Sequence, residues 1–216
     1  EGITSLILET FGKTYDKAVL EAVVRETVKS LNECIKRQEM HATSENGFFA
    51  KLEGSGPFGE GSFKGQLQAT LRLVSGKEGQ IAMQELGTGK GKSDFVTPLF
   101  ADIIKSLYGV QGKAAEGNFL FRNTMVLTSG TLTPETNGIL QKKFGKDCIF
   151  IDKIENITPE IIKALMEGNK TVVITPEILK SSVLNLRTST PENQAKNELI
   201  HKLLTSRNKY LFDEAH

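Results

Sequence analysis

The sequence predicts an α/β protein: a parallel sheet with helices on both faces, preceded by an N-terminal helical segment. Three features lead to this. From about residue 63 onward, short apolar runs alternate with amphipathic stretches. A glycine-rich turn, Gly87-Thr88-Gly89-Lys90-Gly91-Lys92-Ser93, falls where an apolar run gives way to a helical pattern. A later apolar run, Tyr210-Leu211-Phe212, leads straight into two carboxylates, Asp213 and Glu214. Strands alternating with helices at this spacing suit a parallel sheet covered on both sides. Ligands of such sheets sit beyond the carboxyl ends of the strands.

The elements follow in chain order. Between Tyr15 and about Met40 the period is helical, with Val19, Val23, Leu31 and Ile35 on one stripe and Leu20, Val24 and Val28 beside it. Lys17, Arg25, Glu26, Lys29 and Lys36 occupy the other face. Residues 47–65 break the period with Gly47, Gly54, Gly56, Pro57, Gly59, Gly61 and Gly65, which reads as a connection. The chain therefore divides into an N-terminal segment, 1–62, and a sheet domain, 63–216. Within the second part a helical stretch around Gln66–Val74 leads to a strand near Gln80–Leu86, the glycine-rich turn, and a helix near Ser93–Tyr108. Phe95, Leu99, Ile103 and Ile104 are its core residues. Next come a strand at Thr124–Leu127, a helix from about Pro134, and a strand at Cys148–Asp152. Thr158 caps a helix over Pro159–Glu167. A strand at Thr171–Ile174, helices near Pro176–Leu184 and Asn193–Thr205, and a strand at Lys209–Phe212 complete the pattern.

Composition narrows the class. The 216 residues are 38% hydrophobic and 25% charged, with a formal net charge of +1, so no global bias toward polyanions or membranes is present. No apolar run is long enough to span a bilayer, and no basic-then-apolar leader opens the sequence. Cys34 and Cys148 are isolated thiols without metal spacing, as expected of a reduced, cytoplasmic protein. The sequence begins at Glu1 and stops at His216, so it is expected to be part of a longer chain.

Two segments carry chemistry. In Gly87–Ser93 the glycines let successive backbone N–H groups converge on phosphate oxygens, and the following helix directs its positive end there. Lys92 would reach the outer phosphates and Ser93 would ligate Mg²⁺. The longer phosphate-loop pattern asks for Gly at position 86, which is Leu86; the shorter pattern is met by Leu86–Ser93. In the second segment Asp213 would hold Mg²⁺ through its water shell, and Glu214 would orient and deprotonate an attacking water. The cofactors expected are ATP and Mg²⁺.

Gly89-Lys90-Gly91-Lys92-Ser93 followed by Asp213-Glu214-Ala215-His216 resembles motifs I and II of superfamily 2 helicases and translocases. The stretch Ile81–Ser93 is most similar to the bacterial preprotein-translocase ATPase and to large helicase-like proteins. The likeness covers about residues 63–216. It implies a RecA-like first motor domain, truncated after the DEAH box, that binds ATP or ADP and hydrolyses ATP when joined to a second RecA-like domain. By the same likeness, Thr128-Ser129-Gly130 and Thr175-Pro176-Glu177-Ile178-Leu179 correspond to track-gripping motifs. Gln66, or else Gln68, would read adenine, and His216 would couple the site to the second domain. His41 and His201 have no metal or triad partner and read as surface or helix-face residues. The track stays open between nucleic acid and unfolded polypeptide. A nucleotide-binding regulatory or scaffolding module without motor activity is the alternative.

Overall fold

The computed structural model describes residues 2–12, 17–42, 69–74, 96–111 and 123–212. The chain divides into two compact units, Glu1–Phe119 and Leu120–His216. The expected boundary at residues 62 and 63 lies outside the described residues.

The first unit is helical where described. Helix α1 (Gly2–Phe11), which the sequence pattern did not announce, packs on α2 (Lys17–Ala42), and α2 packs on α3 (Thr97–Gln111). Residues 69–74 are also helical. On α2 the buried stripe is Leu20, Val23 and Thr27, with Ala22 at its margin, whereas Val28 is 39% exposed. Each helical residue turns the side chain by about 100°, so a stripe centred on 20, 23 and 27 carries position 28 out to solvent. The expected core residues Leu99, Ile103 and Ile104 of α3 are buried, joined by Phe100. Phe95 lies outside the described residues.

The second unit is a parallel sheet covered by helices. Its strands are β1 (Thr124–Leu127), β2 (Cys148–Ile151), β3 (Thr171–Ile174) and β4 (Lys209–Phe212), in the spatial order β2-β3-β1-β4. All three pairings are parallel. The connecting helices are α4 (Thr133–Phe144), α5 (Pro159–Glu167), α6 (Pro176–Thr188) and α7 (Pro191–Thr205). The step from β1 to β2 passes over β3 in one direction. The steps from β2 to β3 and from β3 to β4 run the other way. A right-handed crossover puts its helix on the face set by that direction, so α4 lies on one face and α5, α6 and α7 on the other.

The side chains agree with this layering. Val126, Val173 and Cys148 meet Leu140 and Phe144 of α4. Met125, Leu127, Val172, Ile174 and Ile151 turn the opposite way, onto Leu165, Ile178, Ile200, Leu203 and Leu204. Register explains the division. Met125 pairs with Val172, and Val126 with Val173, so each pleat presents a matched apolar row to one layer. Burying a side chain of this size stabilises the fold by roughly 1.5–3 kcal/mol. The two central strands are buried at every position.

At the amino edge of the sheet, polar side chains tie the layers together. The Asn123 amide donates to Leu165 O at 3.1 Å and to Asn208 Oδ1 at 3.4 Å, and its oxygen accepts from Lys170 N at 3.1 Å. Asn208 in turn donates to Leu203 O at 2.7 Å. Lys170 closes the rim with a 2.8 Å ion pair to Asp147. The turn from α5 into β3 needs left-handed backbone at Gly168 and Asn169, with φ of 80° and 58°.

Candidate functional site

All four described α-helices of the second unit open on the same tripeptide: Thr133-Pro134-Glu135, Thr158-Pro159-Glu160, Thr175-Pro176-Glu177 and Thr190-Pro191-Glu192. Each residue has a physical task. Proline at the first turn lacks an N–H that would go unbonded and holds φ near the helical value. Glutamate sits where the helix dipole favours negative charge. Threonine offers a capping oxygen. Thr158 behaves as expected, accepting from Ile161 N at 3.4 Å. Its hydroxyl also bonds Glu160 and holds that carboxyl below the usual carboxylate range. Glu177 is lowered likewise, by its own backbone N–H first and then by the Thr175 hydroxyl. Thr190 accepts from the Asn193 side-chain amide at 3.2 Å, and neither Thr175 nor Thr190 caps a backbone N–H of its helix through its hydroxyl.

Three of these helices, α4, α5 and α6, begin just after a strand ends, so their amino termini gather at the carboxyl edge of the sheet. Leu127, Ile174 and Phe212 are in register there, and Ile151 pairs with Ile174. The residues that follow the first three strands are Thr128, Asp152 and Thr175. Asp152 accepts from the Asn156 amide at 2.7 Å, which is the main reason its carboxyl lies below the ordinary range. Phe212 is 57% exposed, and its ring stacks on Tyr210 with centroids 6.3 Å apart.

The turn after β1 is the most structured part of this edge. Thr128 N donates to Ile174 O at 3.2 Å, which anchors the turn to β3. The Thr128 and Thr133 hydroxyls, both buried, are 2.8 Å apart. Ser129 O accepts from Leu132 N at 3.0 Å, from Thr133 N at 3.1 Å and from Thr133 Oγ1 at 2.8 Å. Ser129, Gly130 and Thr131 are exposed between these anchors, with the Ser129 and Thr131 hydroxyls 3.3 Å apart.

Beside the edge, α6 and α7 form an antiparallel pair. Ser182 meets His201 near one end, and Asn185 and Ser189 meet Asn197 near the other. Ser182 Oγ donates to Leu179 O at 2.8 Å, so its only proton is committed. His201 Nδ1 lies 3.1 Å from the same Ser182 oxygen. His201 is a half-buried helix-face residue, as the sequence suggested. A cleft of about 400 Å³ lies between this pair and the short turn at Ile154–Asn156, with Asn185, Asn197, Lys196, Glu155, Ile154 and Ile200 on its walls.

The residues expected from the sequence divide cleanly. Thr128-Ser129-Gly130 and Thr175–Leu179 lie at the carboxyl edge, the former as an exposed turn and the latter as the start of α6. Gln66, Gln68, Gly87, Thr88, Gly89, Lys90, Gly91, Lys92, Ser93, Asp213, Glu214 and His216 lie outside the described residues. Among the described residues, no group of three or more His, Cys, Asp or Glu is arranged to hold a metal ion. No helix among them is long and apolar enough to cross a membrane. Sequence reasoning missed Thr133 and Asp152. The four-fold Thr-Pro-Glu repeat gives Thr133 the same local pattern as the other three threonines, and only its pairing with Thr128 sets it apart.

No family model, no curated protein and no solved structure matches this chain.

Proposed function

We propose that this chain is the ATP-binding, RecA-like part of an ATP-driven helicase or translocase that acts in the cytoplasm with a second RecA-like domain. The observation that carries the reading is the register of the sheet. β4 lies beside β1, and Phe212 pairs with Leu127 at the carboxyl edge. Asp213 and Glu214 are the next residues in sequence after Phe212, just as Thr128 follows Leu127 and Thr175 follows Ile174. Parallel sheets place ligand chemistry at this edge, and an acidic pair that follows directly on a strand of such a sheet suits the carboxylates of a Mg²⁺-nucleotide site.

The donor set suits the cofactor. A serine hydroxyl and a carboxylate are hard oxygen donors of the kind Mg²⁺ prefers alongside water and phosphate. Ser93 and Asp213 would hold the ion, Lys92 and the backbone of Gly87–Gly91 the phosphates, and Gln66 the adenine. Bound MgATP supplies the phosphoryl group whose transfer drives the motor. The work left to this chain is positional and acid–base: Glu214 Oε takes a proton from the water that it orients.

Titration calorimetry tests the assignment. The wild-type chain is expected to bind MgATP or MgADP, and Lys92→Ala to abolish it by removing the mobile charge at the outer phosphates. Equal affinity in the two proteins would refute the phosphate loop.

A further inference from the structure

The cleft between α6, α7 and the turn at Ile154–Asn156 combines three kinds of surface that the motor reading does not use. Its floor is apolar: Ile154 and Ile200 are buried at 7% and 4% exposure and belong to the core beneath the helices. Opposite charges stand on different elements around it, Lys196 on α7 and Glu155 on the turn. Neither side chain makes an ion pair or a hydrogen bond with any of the described residues. Carboxamides line the remaining wall. Asn197 Nδ2 donates to Ser189 Oγ at 2.7 Å, which fixes that side chain where α6 meets α7, and it lies 3.5 Å from the backbone O of Asn185. The Asn185 carboxamide itself bonds none of the described residues.

We infer that this cleft binds a short zwitterionic peptide with aliphatic side chains; the inference does not rest on the motor reading. Each surface has its counterpart in such a ligand. An aliphatic side chain leaves water against Ile154 and Ile200. A terminal carboxylate pairs with Lys196 and a terminal ammonium with Glu155. The peptide group between them offers one N–H and one C=O, and the Asn185 carboxamide accepts through Oδ1 and donates through Nδ2. Size agrees as well. The volume of about 400 Å³ falls within the usual range of ligand pockets, roughly 300–1,000 Å³. A space of that volume is about 7 Å across, room for about two residues of extended chain at ~3.5 Å each. A polyanion suits the cleft poorly, because Lys196 is the single cation lining it and Glu155 would repel the ligand. One exposed charge contributes little by itself. Selectivity comes from two opposite charges flanking an apolar floor.

The experiment titrates ¹⁵N-labelled residues 1–216 with three probes and follows the amide resonances by NMR. The probes are leucyl-leucine, its N-acetyl and C-amide form with both termini neutral, and glycyl-glycine. Leucyl-leucine should shift the backbone and side-chain amides of Asn185, Asn193 and Asn197 saturably, with a Kd of about 0.1–1 mM. The neutral form and glycyl-glycine should each bind about five- to tenfold more weakly, the first for want of charge and the second for want of apolar surface. Lys196→Gln and Glu155→Gln change exposed side chains and should leave the rest of the spectrum in place. Each should weaken leucyl-leucine about two- to fivefold while leaving the affinity of the neutral form unchanged. Absence of saturable shifts in the cleft up to about 10 mM leucyl-leucine would overturn the site. Unchanged leucyl-leucine affinity in both variants would overturn the pairing of its termini with Lys196 and Glu155. Glycyl-glycine binding as tightly as leucyl-leucine would overturn the part given to Ile154 and Ile200.

Discussion

At the scale of single residues, adjacent carboxylates with different tasks should respond differently to loss of charge. If Asp213 acts through the metal, Asp213→Asn should weaken binding of Mg²⁺-nucleotide and slow hydrolysis together. If Glu214 acts on water, its effect is confined to the moment the phosphoryl bond breaks. Glu214→Gln should then bind ATP as the parent does while turnover in the full-length protein falls about 10²–10⁴-fold, the usual weight of a general base. Parental turnover in that variant would remove Glu214 from the chemistry. Cys148 makes a contrasting case, in which burial alone sets reactivity. It sits under α4 at 6% exposure, and desolvation pushes its thiol up to about 11. The reactive thiolate is therefore scarce at pH 8. In a Cys34→Ser background, Cys148 should resist a thiol reagent until denaturant opens the second unit. Rapid labelling of the folded protein would contradict the packing of α4 on the sheet.

Elements were legible wherever a local signal coincided with burial. Met125-Val126-Leu127 and Val172-Val173-Ile174 are unbroken apolar runs between polar neighbours, and both became central strands buried on two faces, at the positions expected. The start of α5 was equally plain because Thr158 and Pro159 act within one turn. Ends that depend on neighbours were harder. α6 runs on past Leu184 to Thr188, since no glycine or proline intervenes before Pro191 and Asn185 is held by Asn197 of α7. α1 was missed because Gly2–Phe11 carries little charge to mark an outer face. The pairing of Thr133 could not be read from its own segment, because its partner Thr128 belongs to the strand end. The local case gives a sharp prediction. Thr158→Ala should cost about 1 kcal/mol, the usual value of a lost cap, and should raise the Glu160 carboxyl toward its ordinary range. Because that carboxyl is depressed in the folded chain, its share of the stabilisation is present at neutral pH. It is lost as pH falls through the folded value. Chemical denaturation of the variant across acid pH, with NMR titration of Glu160, would check both. A Glu160 titration unmoved by Thr158→Ala would show that the hydroxyl is not the cause.

For the molecule as a whole, charge sets what the fold can attract from a distance. The chain carries 27 Lys and Arg against 26 Asp and Glu, a formal net charge of +1. A net charge this close to zero supplies little overall attraction for a polyanion. Contact at the carboxyl edge would then rest on local groups: the Ser129–Thr131 turn, the amino terminus of α6 at Thr175, and whichever lysines lie within a Debye length, about 8 Å at physiological salt. Contacts of this kind go to phosphate and sugar and are indifferent to sequence. The expected behaviour of residues 1–216 with single-stranded oligonucleotides is therefore weak binding, equal across base compositions. Its logarithm should decline linearly with the logarithm of salt, at about −0.7 for each phosphate neutralised. Fluorescence anisotropy over a salt series with several oligonucleotide sequences measures both properties at once. A tight complex that prefers one sequence could not come from contacts to the phosphate and sugar alone. It would require base-edge readout by side chains, which the neutral groups of the carboxyl-edge turn do not provide.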